Sequence, residues 1–257
     1  MVESREDKPL VTITGVTGYL GSTIVQDFLR DGNYRVRGTV RNKKNDKKIN
    51  PLKIGLGELY EYIELVEADL NDAASLDKAV EGATYVVHTA GPFYFETDED
   101  KICKPVTAGM DAVVKACTRH DVKRLVLTSS CAAITCVPEE KMPKPGELWN
   151  ETYWSDEERE EGMDCYMKSK TLQEKLVWKY LEERKENEES VFEFVAINPV
   201  FIMGPSIACG DGFSESWLKI WLDGSKKAVP RINMSFVDIR DVSMAHLKAV
   251  KVEEAAN

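Results

Sequence analysis

Tyr166 and Lys170 stand four residues apart in a stretch that carries Leu172, Leu176, Val177, Tyr180 and Leu181 at helical spacing. On a helix that separation makes the phenol and the ammonium neighbours. A lysine ammonium about 4 Å from a phenolate, at an effective dielectric near 20, favours it by roughly 4 kcal/mol. That is about three pKa units, enough to bring a tyrosine from about 10 toward 7. The chemistry such a pair offers is general acid catalysis near neutral pH, typically a gain of about 10²–10⁴ in rate. A Tyr-x-x-x-Lys pair is common on helices, but Ser129-Ser130 gives this one weight. It ends the apolar run Leu125–Thr128, where a serine hydroxyl can bond a carbonyl and keep it facing the tyrosine.

A second set of residues points to a ligand. Leu10–Ile13 is apolar and mostly β-branched, and Thr14-Gly15-Val16-Thr17-Gly18-Tyr19-Leu20-Gly21 follows at once. Ser22 to Arg30 then reads as a helix. A strand, a glycine turn and a helix N-terminus form an anion site, because unpaired N–H groups and the helix dipole point outward. A plain structural turn fits the glycines too, but the flanking strand and helix favour a dinucleotide pyrophosphate. The spacing is G-x-x-G-x-x-G and resembles the Thr-Gly-x-x-Gly-x-x-Gly element of extended short-chain dehydrogenases/reductases.

The elements that must position both sets alternate along the chain. Strands are predicted at Leu10–Ile13, Tyr34–Val40, Tyr62–Val66, Tyr85–His88, Leu125–Thr128 and Val191–Ile197, with helices at Ser75–Val80, Val106–Thr118 and Tyr166–Arg184 between them. This pattern predicts a Rossmann-type, doubly wound α/β fold with a parallel sheet. Ligands of such sheets bind beyond the carboxyl ends of the strands. That rule selects the turn with Gly15, Thr17, Gly18, Tyr19, Leu20 and Gly21, then Arg41, Asp69, the run Thr89, Ala90, Gly91 and Pro92, and Ser129-Ser130; Leu70 beside Asp69 is a further cofactor candidate. Asn42–Asn50, rich in Lys and Asn, reads as an exposed loop. Glu139–Gly162 is a long acidic loop of the kind that covers a site.

Arg41 ends the second strand, where NAD-binding folds place a carboxylate; none occurs between Asn33 and Asn45. A guanidinium there suits the 2′-phosphate of NADP(H). Neighbouring lysines read equally as solvated loop cations. Asp69 fits either an adenine amino group or a turn. The net charge of −10 argues against nucleic acid. The polar N-terminus lacks a signal-peptide core, and no stretch is long enough to span a bilayer, so a cytoplasmic protein is expected. Six cysteines without a C-x-x-C pair and three scattered histidines predict free thiols and no metal.

The chain resembles the dihydroflavonol-reductase/cinnamoyl-CoA-reductase group of extended short-chain reductases from about residue 10 to 250. The segments that carry this are Val36–Arg41, Lys104–Met110, Leu127–Ser130, Glu151–Asp156, Tyr166–Lys170, Asn198-Pro199 and Gly204-Pro205. The resemblance implies an NADP(H)-dependent enzyme reducing a small carbonyl. Ser130 would orient the carbonyl and Tyr166 protonate it. Lys170 would hold the nicotinamide ribose and lower the tyrosine pKa. Arg41 and Lys48 match phosphate-contacting positions, and Pro199 and Val200 would pack at the nicotinamide, with Ser129 nearby. Phe93, Thr135, Met203 and Phe213 are the substrate-side candidates. Two departures bar carrying over a substrate. Thr135 replaces an asparagine of flavonoid-reducing members, and Gly162-Met163-Asp164-Cys165 replaces an aromatic-rich run. Residues 1–257 are expected to form a single NAD(P)-binding domain, monomeric or homodimeric, with about 204–232 contributing to a small substrate lobe. The chain ends sooner than the family does, so that lobe is expected to be incomplete. A non-catalytic NADP-binding scaffold, and a hydroxysteroid dehydrogenase or nucleotide-sugar epimerase, are the alternatives.

Overall fold

Six parallel strands form one sheet in the order β3-β2-β1-β4-β5-β6. They are β1 Leu10–Thr14, β2 Arg35–Val40, β3 Ile63–Glu67, β4 Tyr85–His88, β5 Arg124–Thr128 and β6 Glu193–Ile197. The computed structural model describes residues 7–91, 98–159, 161–208, 213–228, 231 and 233–256, without the Phe213 side chain. From β1 the chain winds outward through β2 and β3, then returns to place β4 on the other side of β1. The crossovers diverge there and leave a crevice beyond the strand ends.

Side chains alternate between the two sheet faces with period two. Leu10, Val86, Leu125, Leu127 and Phe194 pack against α3 (Ala73–Val80), α4 (Glu99–Arg119) and α5 (Cys165–Glu186). Val11, Ile13, Val36, Val87 and Val126 pack against α1 (Tyr19–Asp31), α2 (Asp46–Leu56) and α7 (Ile239–Lys251). Burial of each such side chain contributes roughly 1.5–3 kcal/mol, which gives the sheet two apolar walls and a rigid rim. Beyond β6 lie α6 (Phe213–Leu222) and a second sheet of two parallel strands, β7 (Phe201–Met203) and β8 (Phe236–Asp238).

The six strands and the helices α1, α3, α4 and α5 lie where their sequence patterns put them, to within a few residues except at the start of α4. That helix begins at Glu99, capped by Asp98, and runs through Pro105 in its second turn. The expected loop at 42–50 is a correction: α2 starts at Asp46. Ile49, Leu52 and Leu56 are buried on one helical face while Lys47, Lys48 and Lys53 stay in solvent. The charge density hides that apolar stripe.

Arg124 fastens the sheet to α7. It is 1 % exposed. Its Nε donates to Glu193 Oε2 at 2.7 Å, and its Nη1 donates to the carbonyls of Ala249 and Val252, each at 2.6 Å. These carbonyls end a helix and have no partner within it. Arg124→Met should therefore cost about 3 kcal/mol. At this size that corresponds to roughly a 6–12 °C fall in thermal midpoint. Calorimetry checks it; an unchanged midpoint would show that α7 is held by its apolar face alone.

Candidate active site

The glycine turn is dictated by close approach of backbone to backbone. Gly15 leaves β1 at φ 74°, and a Cβ on it would lie 3.1 Å from Ala90 Cα. A Cβ on Gly21 would lie 2.3 Å from the Gly15 carbonyl oxygen, a contact no residue but glycine avoids. Gly18 caps α1 with backbone alone, and the first turn holds no acidic residue. The N–H groups of Tyr19, Leu20 and Gly21 therefore open the helix with no intrahelical acceptor and with the positive end of its dipole.

Buried Thr14 joins this turn to β4. Its Oγ1 accepts from the N–H groups of Thr89 and Ala90, both at 3.1 Å, and lies 3.0 Å from His88 Nδ1. Burial holds His88 down to about 3, so the ring is neutral. The hydroxyl already accepts twice, so its hydrogen goes to Nδ1. Thr89 Oγ1 returns a bond of 2.6 Å to the Thr14 carbonyl.

The resulting cleft measures about 530 Å³. It gathers the Gly15–Gly21 candidates with Leu70, Asp69 and Thr89–Gly91, and Arg41 and Lys48 stand at its rim. Both cations are exposed and make no ion pair among the described residues. Asp69 lines the wall, but its Oδ1 accepts from Asn71 N at 2.8 Å, so one oxygen serves a turn. Thr39, Asn42 and Asn45 also line the cleft and were not singled out from sequence. Thr39 lies next to the end of β2, and the signal for Asn42 and Asn45 is the start of α2, which the lysine-rich composition obscures. An unpaired helix N-terminus, a glycine cradle and two free cations fit an elongated anion.

The second residue set meets at the far end of β5. Asp164 caps α5 by accepting from Met167 N at 2.7 Å, which puts Tyr166 in the first turn. Ser130 hydrogen-bonds the Tyr166 phenol, and its Oγ accepts from Ala132 N at 3.1 Å. The backbone on either side is tied to the end of β6, with Ser129 N donating to Ile197 O at 2.9 Å and Cys131 N to Pro199 O at 3.0 Å. The acidic loop that follows is anchored here as well: Ser155 Oγ donates to Ala132 O and accepts from Cys136 N, each at 2.8 Å.

Lys170 departs from expectation. Its Nζ donates to Thr128 O at 3.1 Å and Gln173 Oε1 at 3.3 Å rather than to the phenol. Helical spacing brings the two Cβ atoms together, but the longer side chain runs on to the nearest buried carbonyl. Lys170 thus does not lower the tyrosine here: burial pushes Tyr166 up to about 12, against the Ser130 hydrogen bond. Burial draws Lys170 down to about 8, opposed by the charge of Glu174. A Cβ on Gly91 would lie 3.9 Å from Lys170 Nζ, so the ammonium borders the cleft. The arrangement can donate a proton beside a bound anionic nucleotide.

Comparison with known proteins gives the family and the fold. Residues 12–255 match the model of the 3-beta hydroxysteroid dehydrogenase/isomerase family. The chain belongs to that family. It is 31 % identical to cinnamoyl-CoA reductase 1 of Arabidopsis thaliana over 249 residues, 96 % of this chain and 68 % of the relative. A bifunctional dihydroflavonol 4-reductase/flavanone 4-reductase of Pyrus communis is 36 % identical over 202 residues, 76 % of this chain and 54 % of that relative. Among solved structures, a yeast methylglyoxal/isovaleraldehyde reductase complexed with NADPH superposes with a TM-score of 0.79. Its identity is 26 %, over 96 % of this chain and 76 % of that one. Vestitone reductase from alfalfa gives 0.76 at 27 % identity, over 96 % and 74 %. This chain is an extended short-chain oxidoreductase with the Rossmann-type fold.

The other candidates of this family member scatter. Ser129 is buried with its Oγ unpartnered, and Pro199 and Val200 follow β6; none of the three lines the cleft. The Thr135 hydroxyl donates to Cys131 O at 3.0 Å. Met203 lines a separate apolar cavity of about 850 Å³ with Trp217, Trp221 and Phe236. Pro92, Phe93 and the Phe213 side chain lie outside the described residues. Among the described residues the cysteines are free, no acidic, histidine or cysteine cluster could hold a metal, and no helix is long and apolar enough to cross a membrane. Gly21→Ala should weaken NADPH binding about tenfold or more with little change in the far-ultraviolet spectrum. Fluorescence titration checks it, and unchanged affinity would mean that the Gly15–Gly21 turn does not cradle the nucleotide.

Proposed function

We propose that this chain reduces a small ketone or aldehyde with NADPH, using Tyr166 as the general acid. The observation that carries the reading is the Ser130–Tyr166 hydrogen bond, set beside Lys170 at the border of the glycine cleft. The relatives' reductase activities and the NADPH-bound structural neighbour support it.

The helix N-terminus from Gly18 would hold the pyrophosphate, and Arg41 with Lys48 the 2′-phosphate. When bound, NADPH supplies the hydride. Ser130 and Tyr166 both address the substrate oxygen. As charge builds there, the oxygen becomes a stronger base than the phenolate, and the proton leaves Tyr166 Oη for it. A tyrosine near 12 keeps that proton through the neutral range, which suits reduction more than oxidation. The Lys170 ammonium, held on the Thr128 carbonyl at the border of the cleft, stands where a ribose hydroxyl of the nucleotide would meet it. Residues of about 204–232, including α6, would contribute to a small substrate lobe, with the cavity between Trp217 and Phe236 as an apolar pocket at its side.

Loss of the Arg41 guanidinium removes a charge-assisted contact of about 1.5–3 kcal/mol. Arg41→Ala should therefore weaken NADPH by roughly 10- to 100-fold and leave NADH within about twofold. Equal losses for both would assign Arg41 no phosphate. Tyr166→Phe should keep NADPH affinity and lose at least about 10²-fold in kcat across a carbonyl panel. If the parent protein binds NADPH and turns over nothing on that panel, a cofactor-binding scaffold is the better reading.

The pH dependence has a definite sign. Lys170 titrates near 8, below the ordinary lysine value, so its ammonium is present at lower pH and lost as pH rises through about 8. The kcat of reduction should fall over that interval, and a profile flat to pH 10 would remove the ammonium from the mechanism.

A further inference from the structure

Behind the Ser130/Tyr166/Lys170 set lies a carboxylate to which the chemistry above gives no task. Glu174 is one turn past Lys170 on α5 and 5 % exposed. No lysine or arginine pairs with it among the described residues. Its Oε2 accepts from Asn198 Nδ2 at 2.8 Å, and its Oε1 accepts from Trp178 Nε1 at 3.5 Å. Burying a carboxylate carries a large desolvation cost, so its hydrogen bonds must be well placed. Asn198 is bound on the other side as well. The same Nδ2 donates to the Ser130 carbonyl at 3.2 Å, while Asn198 Oδ1 is buried with no partner.

An amide can present either end, and a carboxylate only accepts. Glu174 therefore dictates that Asn198 turns its NH₂ inward, and the second hydrogen of that group reaches Ser130. Ser130 is then fixed at its carbonyl by Asn198, at its neighbours by Ile197 and Pro199, and at its hydroxyl by Ala132 N. We propose that Glu174 is a positioning residue for carbonyl reduction, acting through Asn198 to hold the Ser130 hydroxyl against Tyr166. This inference rests on the reading of Ser130 and Tyr166 given above.

Three variants test it. Glu174→Leu keeps volume and cannot accept, Glu174→Gln can still accept, and Asn198→Ala cuts the bridge. Each is checked for NADPH affinity and thermal midpoint, then for kcat and KM. The Tyr166 ζ-carbon resonance is followed in unloaded, labelled protein, assigned with Tyr166→Phe. Glu174→Leu should lose about tenfold or more in kcat with KM within about threefold, and Glu174→Gln should recover most of it. Asn198→Ala should match Glu174→Leu, and the double variant should be no worse than either. The Tyr166 resonance should move in Glu174→Leu and Asn198→Ala alike.

A Glu174→Leu protein with kcat within about twofold of the parent and an unmoved resonance overturns the proposal. So do losses that multiply in the double variant. If Glu174→Leu does not fold, Asn198→Ala decides by the same two readouts. If the parent itself has no turnover, the reductase reading fails, and the resonance alone decides whether Glu174 positions Ser130 against Tyr166.

Discussion

The hydroxyl of Thr14 is the interaction on which the site depends. It sits where β1 ends and the sheet changes winding direction, and it binds the first two N–H groups beyond β4. With those groups fastened, Thr89 and Ala90 lie against the glycine turn so closely that Gly15 and Gly21 have no room for a side chain. A neutral, buried His88 takes the remaining hydrogen, so no charge is buried in making the clasp. A parallel sheet always leaves a crevice at its switch point. This clasp turns that crevice into a cradle of fixed dimensions.

The Ser130/Tyr166 end of the site depends on a second clasp of the same kind, made between β5 and β6. Ser130 has little freedom because each neighbouring peptide is bonded to the end of β6. His246 of α7 accepts from Thr128 at Nε2 and donates to Val242 O at Nδ1, and burial draws it down to about 4, so it too is neutral. The Thr128 carbonyl takes Lys170. Polar groups inside the protein are thereby paired without unmatched histidine charge, and the charges that remain deep in the site belong to Lys170 and Glu174. Electrostatic work in such a place is strong because little solvent screens it.

Much of this was legible in the residues. Apolar, often β-branched runs placed all six strands, and the glycines, Arg41 and Ser129-Ser130 pointed to the rim at the carboxyl ends of the strands. The failures have local causes. In α2 the buried stripe of Ile49, Leu52 and Leu56 is narrow and set among lysines. For Lys170, spacing predicts proximity of Cβ atoms and says nothing of where a four-carbon chain ends. Ser155 and Asn198 appear in sequence only as members of longer motifs, and their partners, Ala132 and Glu174, are more than twenty residues away.

The sequence by itself determined the strand order's raw material, the glycine turn and the types of group able to move a proton, because periodicity, turn chemistry and residue type are local properties. Only the tertiary structure decided that Tyr166 is high and bonded to Ser130, that Lys170 turns to a backbone carbonyl, and that Glu174 lies buried behind both. Those facts depend on desolvation and on contacts between β5, β6 and α5, which no local window of the chain contains.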